Sequence, residues 1–102
     1  MVLPAGSTAG GCRSRLDDGR LVVWSPPPGL TCALDAERRR EPPDVVAARA
    51  EGDPWIWWTR LEVLCKLHDV PVLVALRDGL NDAGCALRTV EQDGLVITFG
   101  AR

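Results

Sequence analysis

Cys65 and His68 stand three residues apart, a spacing at which one helix face presents two metal-ligating or nucleophilic side chains together. A structural zinc site also needs a second pair at a telling distance. The other cysteines, Cys12, Cys32 and Cys85, are scattered singly through the 102 residues and His68 is the sole histidine, so that second pair is missing. The same residue types allow a catalytic reading, with Cys65 as nucleophile, His68 as base and Asp69 as its orienter. Adjacent residues at a helix end seldom point at one another, however, and a histidine there is accounted for by the negative end of the helix dipole. Gly10-Gly11 precedes a strand pattern rather than joining a strand to a helix, which excludes a phosphate-cradling loop. The sequence therefore predicts no catalytic residue, no metal and no cofactor: the chain reads as non-enzymatic.

Binding is the chemistry that remains. Composition is that of a globular domain, 46% hydrophobic and 25% charged, and the formal net charge of -2 argues against a surface built to face phosphates. Eleven of the twelve basic residues are arginine, the single exception being Lys66, which reads as the composition of a GC-rich bacterial genome and lowers the weight of any one arginine. Arg13, Arg15 and Arg20 flank Asp17-Asp18, and Arg38-Arg39-Arg40 form a short basic run. A nucleic-acid alternative places paired helices at 55–68 and 71–83 and a wing at 87–99, as in a winged helix-turn-helix. Its recognition helix would carry Asp78 and Asp82 beside Arg77, so nucleic acid is the runner-up partner and a protein the first.

The element that organises the chain is 53–68. Asp53 suits an N-cap and Pro54 the first helical position, and Trp57, Leu61, Leu64 and His68 follow at helical spacing. Trp55, Ile56, Val63 and Leu67 spread apolar surface beyond that face, more than one side of a small core readily covers. Trp55, Trp57, Trp58 and Leu61 are accordingly expected at a homodimer interface, with packing in the chain's own core as the other reading.

Around this helix the pattern predicts a hairpin over 12–24 turning at Asp18-Gly19 with a type I′ geometry, and a second over 85–99 turning at Asp93-Gly94. The two share a Gly-Cys start, an arginine in the outgoing strand and an apolar return, an approximate internal repeat. Between them fall a short helix at 31–40 capped by Thr31, another at 43–51 burying Val45, Val46 and Ala48 or Ala50, and a helix from Pro71 to a stop at Gly84. A strand over 71–76 competes with this last one. Residues 1–11 read as a mobile arm without the basic and apolar regions of a signal peptide, and no window approaches the run of about twenty apolar residues that spans a membrane. The expectation is one cytoplasmic α+β domain over 12–102, two hairpins forming one antiparallel sheet against about four helices, its cysteines as buried free thiols.

Residues 11–49, especially Leu16-Asp17-Asp18-Gly19-Arg20-Leu21-Val22-Val23 with Pro27-Pro28-Gly29-Leu30-Thr31 and the arginines that follow, resemble the TubC-type N-terminal docking domain of nonribosomal peptide synthetases. The resemblance covers about forty residues and lacks the leading family helix before Gly11, although 71–84 looks similar to it. It implies an αββαα homodimer whose exposed hairpin captures a short acidic tail of a partner, here a multienzyme subunit. Arg13, Arg15, Arg20 and Trp24 would then be the partner-binding positions, with arginines pairing to carboxylates and the hairpin supplying backbone groups. The function expected is thus a small docking or assembly module, homodimeric, that binds a short acidic or extended segment.

Overall fold

Val96, Ile97 and Thr98 make the last apolar run strongly β-prone. In the computed structural model, which describes residues 2–6 and 11–102, that run is the strand on which the other layers are built. The elements in order are β1 (Val2–Leu3), β2 (Cys12–Arg15), β3 (Leu21–Trp24), β4 (Cys32–Arg38), α1 (Asp44–Arg49), α2 (Pro54–His68), α3 (Val72–Asp78), β5 (Ala86–Gln92) and β6 (Leu95–Ala101). The fold is α+β. The hairpins do not merge into one sheet as expected; each recruits a third strand instead, giving two antiparallel sheets ordered β1-β3-β2 and β4-β6-β5.

Strand β6 is covered on both faces, and its alternation divides the core in two. Leu95 and Ile97 meet Leu34 and Ala36 of β4 and, from the first hairpin, Leu16 of its loop and Val22 of β3. On the other face Val63 and Leu67 of α2 pack on Ala33, with Cys85 and Leu87 at the margin. The layers are therefore helix, sheet and sheet. Gly100 permits the closest approach, since a Cβ there would run into Leu87 and the Ala86 carbonyl.

Three expectations are corrected. Residues 32–38 are a strand and not part of a helix: Ala, Leu, Glu and Arg favour helix locally, but seven residues pair in register with β6, from Cys32 opposite Ala101 to Arg38 opposite Leu95. Tertiary pairing overrides a weak propensity. The first hairpin turns through a longer loop, in which Gly19 accepts the positive φ (88°) and the Leu16 amide bonds the Arg20 carbonyl at 2.8 Å; the type I′ pair is found in the second hairpin, at Asp93 (φ 53°) and Gly94 (φ 76°). Within the arm, Val2 and Leu3 form β1 against Val22 and Leu21, while residues 1 and 7–10 of that expectation lie outside the described residues.

The helix at 54–68 forms as its caps dictate. The Asp53 carboxylate accepts from the amides of Trp55 (2.9 Å) and Ile56 (3.1 Å), and Asp69 ends the helix in the left-handed region (φ 54°). Its inward face, however, is Trp55, Thr59, Val63 and Leu67, on nearly the opposite side of the helix from the predicted stripe. Of the predicted stripe, Leu64 alone is buried. The flanking helices are shorter than expected: α1 buries Val46 and leaves Val45 exposed, and α3 stops at Gly79, burying Ala75 while Leu73 is 80% exposed. No helix among the described residues is long and apolar enough to cross a membrane.

A chain of hydroxyls joins α2 to the sheet. Thr59 Oγ1 donates to the Trp55 carbonyl at 2.9 Å, which leaves its oxygen to accept from Thr98 at 2.7 Å; Thr98 in turn accepts from Thr89 at 2.7 Å, and Thr89 from the Arg60 guanidinium at 3.3 Å. Every proton has an acceptor, and both Thr59 and Thr98 are fully buried. Thr98→Val keeps the shape but leaves the Thr59 oxygen without a donor and the Thr89 proton without an acceptor. Urea unfolding should show a loss of about 1–3 kcal/mol with an unchanged slope.

Candidate functional site

The hairpin arginines carry their charges on an exposed face, but the fold engages them internally. Arg20 donates from Nε to Asp18 at 2.9 Å and from its backbone amide to the same carboxylate at 3.0 Å, and Arg15 donates to the Gly19 carbonyl at 2.9 Å. Arg13 is exposed on β2 and is also engaged. Asp17 is taken by Arg38, in a two-pronged contact at 2.8 and 2.6 Å that ties the hairpin loop to β4. Both Asp17 and Asp18 are held below the ordinary carboxylate range, Asp17 first by the Arg38 side chain and Asp18 first by the Arg20 backbone amide. Of the basic run, Arg39 bridges Asp53 (2.8 Å) and Glu91, and Arg40 reaches Glu37 at 3.3 Å.

Trp24 lies in a different environment from the arginines it was grouped with. Its ring packs on Phe99 of β6, centroids 4.8 Å apart and tilted by 48°, where the end of β3 overhangs the β5 side of the larger sheet. This aromatic pair divides an open cleft between the sheets. One part, about 260 Å³ and almost wholly apolar, runs from Trp24 to Leu30, Ala86 and Arg88; the other, about 170 Å³, runs from Trp24 to Val23, Val90 and Gln92. Leu30, at its mouth, is 48% exposed. Strand β5 forms the rim. It pairs with β6 on one side and with no described strand on the other. Arg88 is exposed on that rim and makes no ion pair with any described residue.

The expected interface residues of α2 divide. Trp55 belongs to the core: it is 3% exposed, its Nε1 donates to the Arg40 carbonyl at 2.9 Å, and the Arg40 guanidinium sits 4.4 Å from the ring centroid. Trp57, Trp58 and Leu61 are half-buried on the opposite side. Trp57 and Leu61 line a groove of about 430 Å³ with Ala75, Leu76 and Leu80, and the Trp57 and Trp58 rings are 6.3 Å apart.

His68 meets a different cysteine from the one its spacing suggested. Its Nε2 is 3.5 Å from the Cys85 sulfur, and its Nδ1 accepts from Arg102 at 2.8 Å. All four cysteines are free thiols, but only Cys65 is buried, the other three being half-buried. Burial pushes the Cys12 thiol up to about 12, with a hydrogen bond to the Cys32 thiol adding to it. Among the described residues no three metal-ligating side chains converge. Of the winged reading, the second helix is cut to Val72–Asp78, Arg77 is bonded to Asp78 at 2.8 Å, and the β5–β6 hairpin is part of a three-stranded sheet with β4 rather than projecting as a wing.

Compared with known proteins, the chain matches no family model, no curated protein and no solved structure. Downstream of the first hairpin the element order departs from αββαα, since a strand follows where the docking-domain resemblance implies a helix. Phe99 carries no site role in the sequence reading, Leu30 enters it only within the docking-domain resemblance, and Arg88 only with the nucleic-acid alternative, in a basic groove with Arg77. The alternation Leu95, Ile97, Phe99 marks a second buried face in β6, and that signal pointed to Phe99; nothing local pairs it with Trp24.

Asp35 was passed over as well, because a strand over 32–38 was not expected. It is 8% exposed on the α2 side of β4, with Oδ2 unpartnered and Lys66 Nζ 3.8 Å from Oδ1, the ammonium being closer to the Leu34 carbonyl at 2.7 Å. Burial pushes its carboxyl up to about 7; Lys66 opposes this, and Glu37 and Glu62 reinforce it. The unfolded chain releases that proton near pH ~4. Stability is therefore fully present below the unfolded value and is lost as pH rises to about 7, because folding must then take up a proton or bury a charge. Asp35→Asn should flatten this dependence. Urea unfolding is expected to find the variant more stable than the parent at pH 8, by about 1–3 kcal/mol, with the gap closing toward pH 4.5.

Proposed function

We propose that the protein is a docking module that takes a short, extended, acidic segment of a partner protein along the free edge of β5. The observation that carries this reading is the coincidence of an apolar cleft centred on Trp24 and Phe99 with a seven-residue strand whose outer edge pairs with no described strand. In a hairpin closed by the two-residue turn Asp93-Gly94, the flanking pair Gln92 and Leu95 is hydrogen-bonded, so Leu87, Thr89 and Glu91 turn their backbone N–H and C=O groups outward. Those groups can receive another strand, and the cleft beneath supplies apolar contact for alternate side chains. Arg88 favours a carboxylate in the occupant. The site thus retains Trp24 from the expected set but shifts from the first hairpin to the second, because Arg15 and Arg20 are already bonded within their own loop.

Selection from a random peptide display library should enrich extended acidic sequences. Their binding should move the amide resonances of Leu87 and Thr89, and Arg88→Glu should weaken it at least about tenfold (~1.4 kcal/mol) without lowering the melting temperature. Peptides that bind but shift residues of the first hairpin instead would return the site to Arg13, Arg15 and Arg20.

A second reading, homodimerisation through α2, is favoured by the half-exposed Trp57 and Trp58 and by the exposed Leu73 of α3, the helix whose Ala75 and Leu76 line the groove with Trp57. Light scattering over a dilution series should then give twice the 11.0 kDa chain mass, reduced to the chain mass by Leu73→Glu. A monomer at every concentration removes this reading and leaves β5 docking untouched.

A further inference from the structure

The cleft beside β5 specifies a spacing as well as a chemistry, and this inference rests on the edge-docking reading given above. The two parts of the cleft meet β5 at different places: the larger between Ala86 and Arg88, the smaller between Val90 and Gln92. Their centres therefore lie opposite Leu87 and Glu91, four residues or about 13–14 Å apart along a strand. A strand laid on the edge presents every second side chain to the cleft. Directly opposed residues of neighbouring strands point to the same face, so the cleft-facing side chains of the added strand are those opposite Ala86, Arg88 and Val90: i and i+4 fall at the two parts, and i+2, opposite Arg88, falls at the Trp24–Phe99 wall that separates them.

We infer that the occupant carries the pattern apolar-x-acidic-x-apolar, its two apolar side chains seated on either side of Trp24 and Phe99 and its central carboxylate paired with Arg88. Charge rules out a second copy of β5 in this place. On the cleft-facing side β5 itself reads Ala86, Arg88, Val90, which puts a cation where the site already holds one, and like charges facing each other across a strand pair are destabilising. The opposite face of the added strand needs no pattern, because Leu87 and Thr89 on that side of β5 are already engaged with α2.

The test uses fluorescein-labelled seven-residue peptides and the full chain, read by anisotropy. The parent peptide is Thr-Leu-Thr-Glu-Thr-Leu-Thr. One control has the same composition with its two leucines moved to i+1 and i+3, which leaves the Glu at the centre; another replaces the central Glu with Lys. The parent should bind at least tenfold more tightly than either, and Arg88→Glu should reverse the Glu-over-Lys preference. Equal binding of the shifted-leucine control would overturn the spacing while leaving edge docking intact, because the Leu87 and Thr89 amides would still respond. An unchanged Glu-over-Lys preference in Arg88→Glu would overturn the carboxylate assignment. Failure of every peptide to bind or to move those amides would overturn both the pattern and the reading beneath it.

Discussion

The 2.7 Å contact between the hydroxyls of Thr59 and Thr98 is the point on which the layers depend. It joins the middle of the longest helix to the middle of the central strand, both sides fully buried, and each hydroxyl is satisfied only because the next one in the chain is in place. A polar contact this deep fixes alignment in a way that Val63 and Leu67, sliding over Ala33, do not. Once α2 is aligned on β6, Trp55 reaches the Arg40 carbonyl and Asp53 reaches Arg39, so the loop between strand and helix is pinned at two places.

The remainder follows from β6 having two buried faces. One takes the helix. The other takes the small sheet, which is too short to cover it fully, and the shortfall is the cleft beneath β5. The Trp24–Phe99 pair is where the short sheet reaches furthest. An aromatic pair at the open end of a sandwich offers both a wall and an apolar floor, the usual ingredients of a site for extended peptide. Asp35 shows the same layering from the other face, as a carboxylate caught between β4 and α2 with one oxygen lacking a partner.

What the sequence made legible was local. The Asp53-Pro54 start of α2 and the Asp93-Gly94 turn are caps and turns whose chemistry acts within a few residues, and both formed as read. What it did not make legible was the partner of each element. Cys32-Ala-Leu-Asp-Ala-Glu-Arg38 has the composition of a helix, and only the presence of β6 makes it a strand. The inward stripe of α2 was misplaced because Thr59 is polar, and its burial depends on Thr98 across the layer. For the candidate site, the sequence singles out Trp24 but groups it with charged neighbours from which it stands apart; Phe99 and Arg88 come together with it only through the stacking of two sheets.

The pairing of β4 with β6 spans the entire helical segment, and the backbone bonds between Thr31 and Arg102 (3.2 and 3.0 Å) lie at its outer end. Because β6 is made after every other element, the emerging chain has neither a completed larger sheet nor a surface for the smaller one to cover until that strand arrives. Loop closure of this length is paid for before its contacts reward it, which places the domain among slow folders for its size. In the meantime 32–38 is free to follow its local helical bias, so the strand that closes the structure must also convert the segment it pairs with.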